Sequence, residues 1–266
     1  MKRTIGGLAI LGLLMLNWSP MLSQELTAKA IMQKNFSVSR VADMTMMSKL
    51  TLFNAAGQTR LRVTSGVSKL QKNEIDYSRM IRFIDPADVK GTGVLTIEHS
   101  GGDDDVWIYL PALKKSRRIA SSEKSSSFMG TEFSYADILS AKVEDYTHTL
   151  VRSEQYNGVD CYVVESVAAS PKLVEETGYS RKVSWIRKDN FVENKVEYYD
   201  KANSFLKTLV TDIITEVDKD HHKWIPLKRE MTNHQTNRRT IMEMSEVKVN
   251  TGATDDRFTT KYLERQ

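Results

Sequence analysis

Apolar and polar residues alternate along most of this chain with a period of two. Met44, Met46, Leu50 and Leu52 fall on one face of an extended segment, and most of the residues between them are polar. A period of two is the spacing of side chains along one face of a β-strand. The pattern therefore predicts a strand here with one apolar face.

The same alternation recurs down the chain. It assigns Leu61 and Val63 to the apolar face of the next predicted strand. Both positions of Asn157-Gly158, between two alternating runs, accept the positive φ of a two-residue hairpin turn. We therefore expect an antiparallel meander, with further strands at residues 77–84, 92–98, 106–110, 146–153, 160–167, 181–187, 192–198, 205–217, 223–233 and 238–249.

Helical signals are few. Short helices are predicted at residues 26–33, 112–119, 135–141 and 255–263. Neither a Pro/Gly-rich linker nor a shift in composition divides residues 24–266. This part of the chain is therefore predicted to be a single, mainly β (α+β) domain.

Residues 1–23 have the layout of a secretory signal. Lys2 and Arg3 precede an apolar run, and small Ser23 follows the break at Pro20. The run is too short to span a bilayer comfortably, which takes about 20 residues. We expect cleavage near Ser23 and an exported protein; an uncleaved anchor is the less favoured alternative.

Charge and cysteine content exclude some partners and chemistries. Without residues 1–23 the chain carries 36 basic and 34 acidic side chains. This balance argues against a nucleic-acid partner, which would require a clustered positive excess. Cys161 is the single cysteine and lies in a predicted strand, so we expect a buried, unreactive thiol rather than a disulfide.

Sequence motifs for catalysis or metal binding are missing from the chain. The adjacent His221 and His222 lie in a hydrophilic turn, and no histidine pair has the spacing that puts two ligands on one helical face. The acidic run 103–105 lacks the other ligands of a calcium loop. The sequence predicts no enzyme activity, no metal and no cofactor.

Residues 106–139 are the most distinctive part of the chain. A predicted strand ends at Pro111, a basic and then serine-rich stretch follows, and large apolar residues return from Phe128 onward. Apolar side chains on so hydrophilic a segment suggest a lid over an apolar surface. A segment fixed permanently to the sheet is an equal alternative.

The motif W-x-Y-L-P-A-L-x-K-x-R-R-I-A-S-S-x-K-x-x-S-F-M-G-x-x-F-S-Y-x-D, from Trp107 to Asp137, resembles the outer-membrane lipoprotein-sorting proteins, relatives of the LolA and LolB carriers. The resemblance implies a curved, unclosed antiparallel β-sheet (a half-barrel), with helices and a loop over its concave face. It also implies a cavity that holds acyl chains. An alternating apolar face is otherwise ordinary protein core.

The resemblance and the alternation together select candidate site residues. The predicted cavity and lid residues are Met44, Met46, Leu50, Leu61, Val63, Trp107, Tyr109, Leu110, Phe128, Met129, Phe133 and Tyr135. The predicted contacts to lipid head groups or to a partner are Lys114, Lys115, Arg117 and Arg118, which are otherwise a solvated helix face.

Three functions remain open at this point. The first is a periplasmic carrier or chaperone that binds acyl chains of lipoproteins or other lipids and moves them from an inner-membrane transporter towards an outer-membrane acceptor. The second is an accessory interaction module of an inner-membrane exporter of lipids or other hydrophobic compounds, without soluble cargo. The third, a small-molecule hydrolase, has no motif in its favour.

Overall fold

The computed structural model describes residues 26–265, so the predicted signal at residues 1–23 lies outside the described residues. Three α-helices and thirteen β-strands make up the regular structure described. The helices are α1 Ala28–Val38, α2 Pro171–Thr177 and α3 Thr260–Leu263. The strands are β1 Asp43–Phe53, β2 Thr59–Leu70, β3 Tyr77–Asp85, β4 Gly93–Ile97, β5 Asp105–Leu110, β6 Lys115–Arg118, β7 Tyr146–Tyr156, β8 Val159–Ala168, β9 Tyr179–Arg187, β10 Glu193–Asp200, β11 Phe205–Asp218, β12 Lys223–Asn233 and β13 Arg238–Val249.

All thirteen strands form one antiparallel sheet. Its order is β6-β5-β4-β3-β2-β1-β13-β12-β11-β10-β9-β8-β7, so β6 and β7 are its two free edges. Sheets of this size twist and curl. The result is a curved half-barrel, which confirms the predicted mainly β, unclosed antiparallel fold.

The β7–β8 hairpin confirms the strongest turn prediction. Asn157 has φ 51° and Gly158 has φ 77°, the left-handed pair that closes a two-residue hairpin. Tyr156 then pairs with Val159 across the turn.

The helix predictions are only partly confirmed. α1 begins after Thr27, whose hydroxyl accepts a hydrogen bond from the Ala30 backbone N–H at 3.2 Å. The helix predicted at 112–119 is wrong, because Lys114 turns the chain at φ 48° and β6 pairs with β5. Ladder hydrogen bonds here override the helix propensity of lysine and arginine.

Two other helical segments also differ from prediction. The helix expected at 135–141 is a single 3-10 turn, Ala136–Ile138, and the one expected at 255–263 is a 3-10 turn followed by α3. α2 was not predicted, although its start has a clear signal. Ser170 accepts a hydrogen bond from the Leu173 N–H, and Pro171 occupies the first helical position.

The concave side is filled at one end of the sheet. Phe83, Val94 and Ile108 from β3, β4 and β5 pack against Phe128 and Tyr135 of the segment that links β6 to β7. This group, called here the packed cluster, is a continuous core with every one of these side chains buried.

The convex side of the same strands is covered as well. Leu263 of α3 and the nearby Phe258 pack on Met80, Leu95 and Tyr109. Strands β3, β4 and β5 therefore bury apolar residues on both faces.

Candidate ligand cavity

A cavity of about 430 Å³ occupies the concave side beside the packed cluster. Its floor comes from β1–β3 and β7–β13, and its cover comes from α1 and residues 136–143. This volume lies in the lower part of the range of about 300–1,000 Å³ that is usual for small-molecule sites.

One half of the cavity wall is rich in methionine. The contributing residues are Met44 and Met46 of β1, Met231 of β12, Met242 and Met244 of β13, and Met32 of α1. Gly66 of β2 gives this wall room, because a Cβ there would lie 2.6 Å from the Met46 sulfur. Unbranched thioethers repack easily around ligands of different shape.

The other half of the wall is polar. It includes Tyr146 and His148 of β7, Ser166 of β8, and Lys182 and Ser184 of β9. His148 Nε2 lies 2.9 Å from the Val143 carbonyl oxygen and its Nδ1 lies 2.8 Å from the Ser166 hydroxyl. Burial lowers the pKa of His148, so the ring is held neutral, donating from Nε2 and accepting at Nδ1.

Two cations border this polar half. Lys182 Nζ lies 4.4 Å from the centre of the Tyr146 ring. Arg229 of β12 has a buried Nε without a hydrogen-bond partner among the described residues, and its Nη2 lies 3.9 Å from the Met242 sulfur. Burial lowers the pKa of Arg229.

The two carboxylates in the wall are held by neutral groups. Glu193 accepts from the Ser184 hydroxyl at 3.3 Å. Asp137 accepts from the Tyr179 hydroxyl at 3.0 Å and from the Ser134 N–H at 2.7 Å. Burial and the Asp137 charge raise the pKa of Tyr179 well above its ordinary value, so this hydroxyl stays a donor.

A third cation lies where α1 leads into β1. Arg40 is 8% exposed, and its guanidinium stacks 3.7 Å from the ring centre of Phe36. Its Nε and Nη1 are buried and unpaired within the part of the chain described. Burial lowers the pKa of Arg40.

The helical part of the cover makes few buried contacts. Ile31 of α1 packs on Val164 and Ile186, and Asn35 Nδ2 donates to the Phe191 carbonyl at 2.9 Å. The other side chain that α1 buries fully is the small Ala28. A helix with so small a buried face is held weakly to the sheet.

The segment with the predicted lid residues is tied down more firmly. Phe128 is 2% exposed and lies 5.6 Å from Tyr135, ring centre to ring centre, in an edge-to-face arrangement. Further along, the Glu132 N–H donates to the Thr240 hydroxyl at 3.0 Å. These contacts hold residues 128–135 against the sheet, and movement of this segment as a lid stays a prediction.

The predicted cavity and lid residues lie in three places: in the cavity wall, in the packed cluster beside it and on the convex side of the sheet. Met44, Met46, Leu50, Phe128 and Phe133 line the cavity. Leu110, Met129 and Tyr135 belong to the packed cluster beside it. Their role in binding remains a prediction.

Four residues of the predicted cavity set face the convex side instead. Leu61 is 38% exposed, and it and Val63 alternate with Thr64, which lines the cavity. Trp107 and Tyr109 pack near α3 on the convex side. The placement of all four in the cavity is wrong, because a strand reverses its faces when the assignment slips by one residue.

The four basic residues lie near one edge of the sheet. Lys115, Arg117 and Arg118 are exposed on β6, and Lys114 is in the turn before it. Arg117 pairs with Glu123 at 3.0 Å, and Arg118 pairs with Asp105. They occupy a solvated strand edge rather than the predicted helix face.

Sequence reasoning missed Lys182 and Arg229. Arg229 lies two residues before Met231 on β12, and Lys182 lies two residues before Ser184 on β9, so each pair shares one face of its strand. A charged residue on the inward face of a strand indicates a polar cavity wall, and this signal was available in the sequence.

The remaining features of the described residues concern cysteine, membrane and metal chemistry. Cys161 is fully buried beside Val163 and Trp185, and burial raises the pKa of its thiol. Among residues 26–265, no helix is both long and apolar enough to cross a membrane. The same residues hold no cluster of three or more potential metal ligands.

Comparison with known proteins agrees with this architecture. A family model described as an uncharacterized protein matches residues 76–265. A domain described as an outer membrane lipoprotein-sorting protein domain, from Vibrio parahaemolyticus, is 32% identical, with 90% of this chain and 98% of that chain covered and a TM-score of 0.83.

Two further solved structures are similar. A DUF1329 family protein from Desulfovibrio piger is 29% identical, with 89% and 97% of the two chains covered and a TM-score of 0.83. A LolA superfamily protein from Nitrosomonas europaea, 19% identical with 90% and 100% covered and a TM-score of 0.70, shares the fold. No match was found among curated proteins.

Proposed function

Since this chain belongs to the outer membrane lipoprotein-sorting protein family, we propose that it is a carrier that shields acyl chains in the concave cavity. It acts by binding rather than by catalysis. The observation that carries the proposal is the cavity of about 430 Å³ on the concave face, one half of which is lined by methionine.

The energetics of burial support this role. Each methylene moved from water into such a wall contributes about 0.8 kcal/mol, so an acyl chain binds usefully without a specific polar contact. Because thioethers adapt, chains of different length and saturation fit the same wall.

Export places the carrier between two membranes in this proposal. Residues 1–23 direct the chain to the periplasm, where it takes lipid or lipoprotein acyl chains from an inner-membrane transporter and delivers them to an outer-membrane acceptor. Cover by α1 keeps the cavity from water in transit, and its small buried face lets it move when a ligand enters.

Mass spectrometry of the protein, purified without detergent from its own periplasm, tests the proposal. We expect acyl lipid in near-stoichiometric amount with the natural chain. Met46→Asp puts a charge in the cavity and should abolish lipid retention. Met47→Asp is the matched control, since Met47 is next to it on β1 and points to the other face.

Two outcomes would contradict the carrier role. One is natural protein that carries no lipid; the other is Met46→Asp protein that retains lipid as well as Met47→Asp protein does. Trp224 lines the cavity, so quenching of its fluorescence by a brominated fatty acid gives an independent measurement. Trp224→Phe shows how much of the quenching comes from that residue.

The exposed basic edge favours a second candidate, docking to an acidic surface of an inner-membrane exporter. Replacement of Lys114, Lys115, Arg117 and Arg118 with serine should abolish co-purification with such a partner. Lipid retention should stay unchanged, which separates docking from cargo binding.

A further inference from the structure

The cavity wall changes character at Arg229. On one side of Arg229, its cross-strand neighbour is Met242 of β13; on the other side it is Thr211 of β11. The methionines come from β1, β12, β13 and α1, whereas β7 to β9 contribute mostly tyrosine, histidine, serine and lysine. The site is therefore amphipathic across its width.

Two cations in the wall of the cavity have no ion-pair partner among the described residues. Among residues 26–265, neither Lys182 nor Arg229 has a carboxylate oxygen within the 4.0 Å of a salt bridge. Glu193 and Asp137 are near enough to act on both through space, and each is already held by neutral donors. A buried guanidinium with a free N–H is costly unless a ligand supplies the acceptor.

We propose that Arg229 binds the anionic head group of an amphiphile, a carboxylate or a phosphate, inside the cavity. The inference rests on the proposed function, because the methionine half holds the acyl chain. The preferred ligand is a single-chain amphiphile whose head is enclosed.

Size and charge agree with this ligand class. A cavity of about 430 Å³ suits one chain with a small head better than the several chains of a lipoprotein. The planar guanidinium of Arg229 matches the two oxygens of a carboxylate or phosphate. The hydroxyls of Tyr198 and Thr211, which also line the cavity, add further donors.

Calorimetric titration of the delipidated, full mature protein tests the inference. The probes are oleate, oleoyl lysophosphatidate and oleyl alcohol, which share one chain and differ in the head. We expect both anions to bind more tightly than the alcohol. The stronger of the two anions identifies whether a carboxylate or a phosphate is the natural head.

A variant assigns the preference to the proposed residue. Arg229→Gln should weaken the binding of both anions by roughly ten- to hundredfold, the range of a charge-assisted hydrogen bond. Binding of oleyl alcohol should change by less than about twofold. Lys228→Gln is the matched control, since Lys228 precedes Arg229 on β12 and pairs with Asp212 at 2.8 Å on the opposite face.

Thermal unfolding of each variant without ligand separates binding from folding. We expect no loss of melting temperature in Arg229→Gln, because it removes a desolvated charge. Equal weakening of all three probes, or oleyl alcohol bound as tightly as oleate by the natural chain, would overturn the inference and leave the carrier role standing. Failure of the natural chain to bind any probe would overturn both.

Discussion

Two regions of the concave face, the packed cluster and the cavity wall, are built differently on one sheet. At the β3–β5 end, Phe83 and Phe128 lie 5.7 Å apart, ring centre to ring centre, in a packed cluster without room for a guest. In the middle of the sheet, at β1, β13 and β12, methionines such as Met46 and Met242 surround open space. Rigid aromatic and β-branched side chains give a core, whereas flexible thioethers beside small residues leave a site.

The largest effect should come from truncation in the packed cluster. Phe83→Ala should lower the free energy of unfolding by about 3–5 kcal/mol, because Phe83 is fully buried in the cluster and does not line the cavity. Met46→Ala, which borders existing space, should cost no more than about 1 kcal/mol. Urea unfolding measures both. Similar losses of unfolding free energy in both variants would show that the packed cluster and the cavity wall are equally well packed.

An intermediate effect on stability is expected at β3, where the packed cluster borders the cavity. The Glu98 carboxylate accepts from the Tyr77 N–H at 2.9 Å and the Ser140 N–H at 2.7 Å, and it pairs with Arg79. Glu98→Gln should lower the free energy of unfolding by about 3 kcal/mol at neutral pH, because it leaves Arg79 without its counter-charge.

The pH dependence of that loss follows from the Glu98 pKa. Burial raises this pKa, but the Arg79 charge and the hydrogen bonds outweigh burial and lower it below its ordinary value of 4.5. The stabilisation is therefore complete above pH 4.5 and is lost as the pH falls through the folded-state pKa. Urea unfolding at neutral pH and at about pH 4 should show the difference between natural and variant protein shrinking with acid; a constant difference would contradict the assignment.

The smallest effect on stability should come from filling part of the cavity. Ser48→Phe adds bulk to the cavity wall and should change the free energy of unfolding by less than about 1 kcal/mol. It should weaken oleate binding by roughly tenfold, the equivalent of about two displaced methylenes. Val94→Phe in the packed cluster is the control and should cost about 1–3 kcal/mol by overpacking. An equal cost at both positions would contradict the presence of usable space near Ser48.

Alternation predicted the sheet well because it reflects local geometry. Met44, Met46 and Leu50 of β1 do line the cavity, and the alternation identified their shared face because most residues of the other face are polar. The antiparallel meander followed from the alternation and the turn at Asn157-Gly158, whereas the curved, unclosed architecture came from the resemblance carried by residues 107–137.

The faces of Trp107 and Tyr109 could not be predicted in the same way. β5 is apolar on both sides because Leu263, more than 150 residues later, covers its convex face. Local periodicity holds no information about so distant a cover. Arg229 differs in this respect, because its place two residues before Met231 on β12 is a local signal that the sequence does carry; only its neighbours on β11 and β13 require the folded sheet.

The free edges β6 and β7 allow the curvature of the half-barrel to change. In a sheet closed by hydrogen bonds all the way round, circumference is set by strand number and stagger. Here the strand order is open, so a change of twist spreads the two margins without breaking a ladder bond. In the proposed carrier, the hollow therefore widens for a bulkier guest without loss of a ladder hydrogen bond.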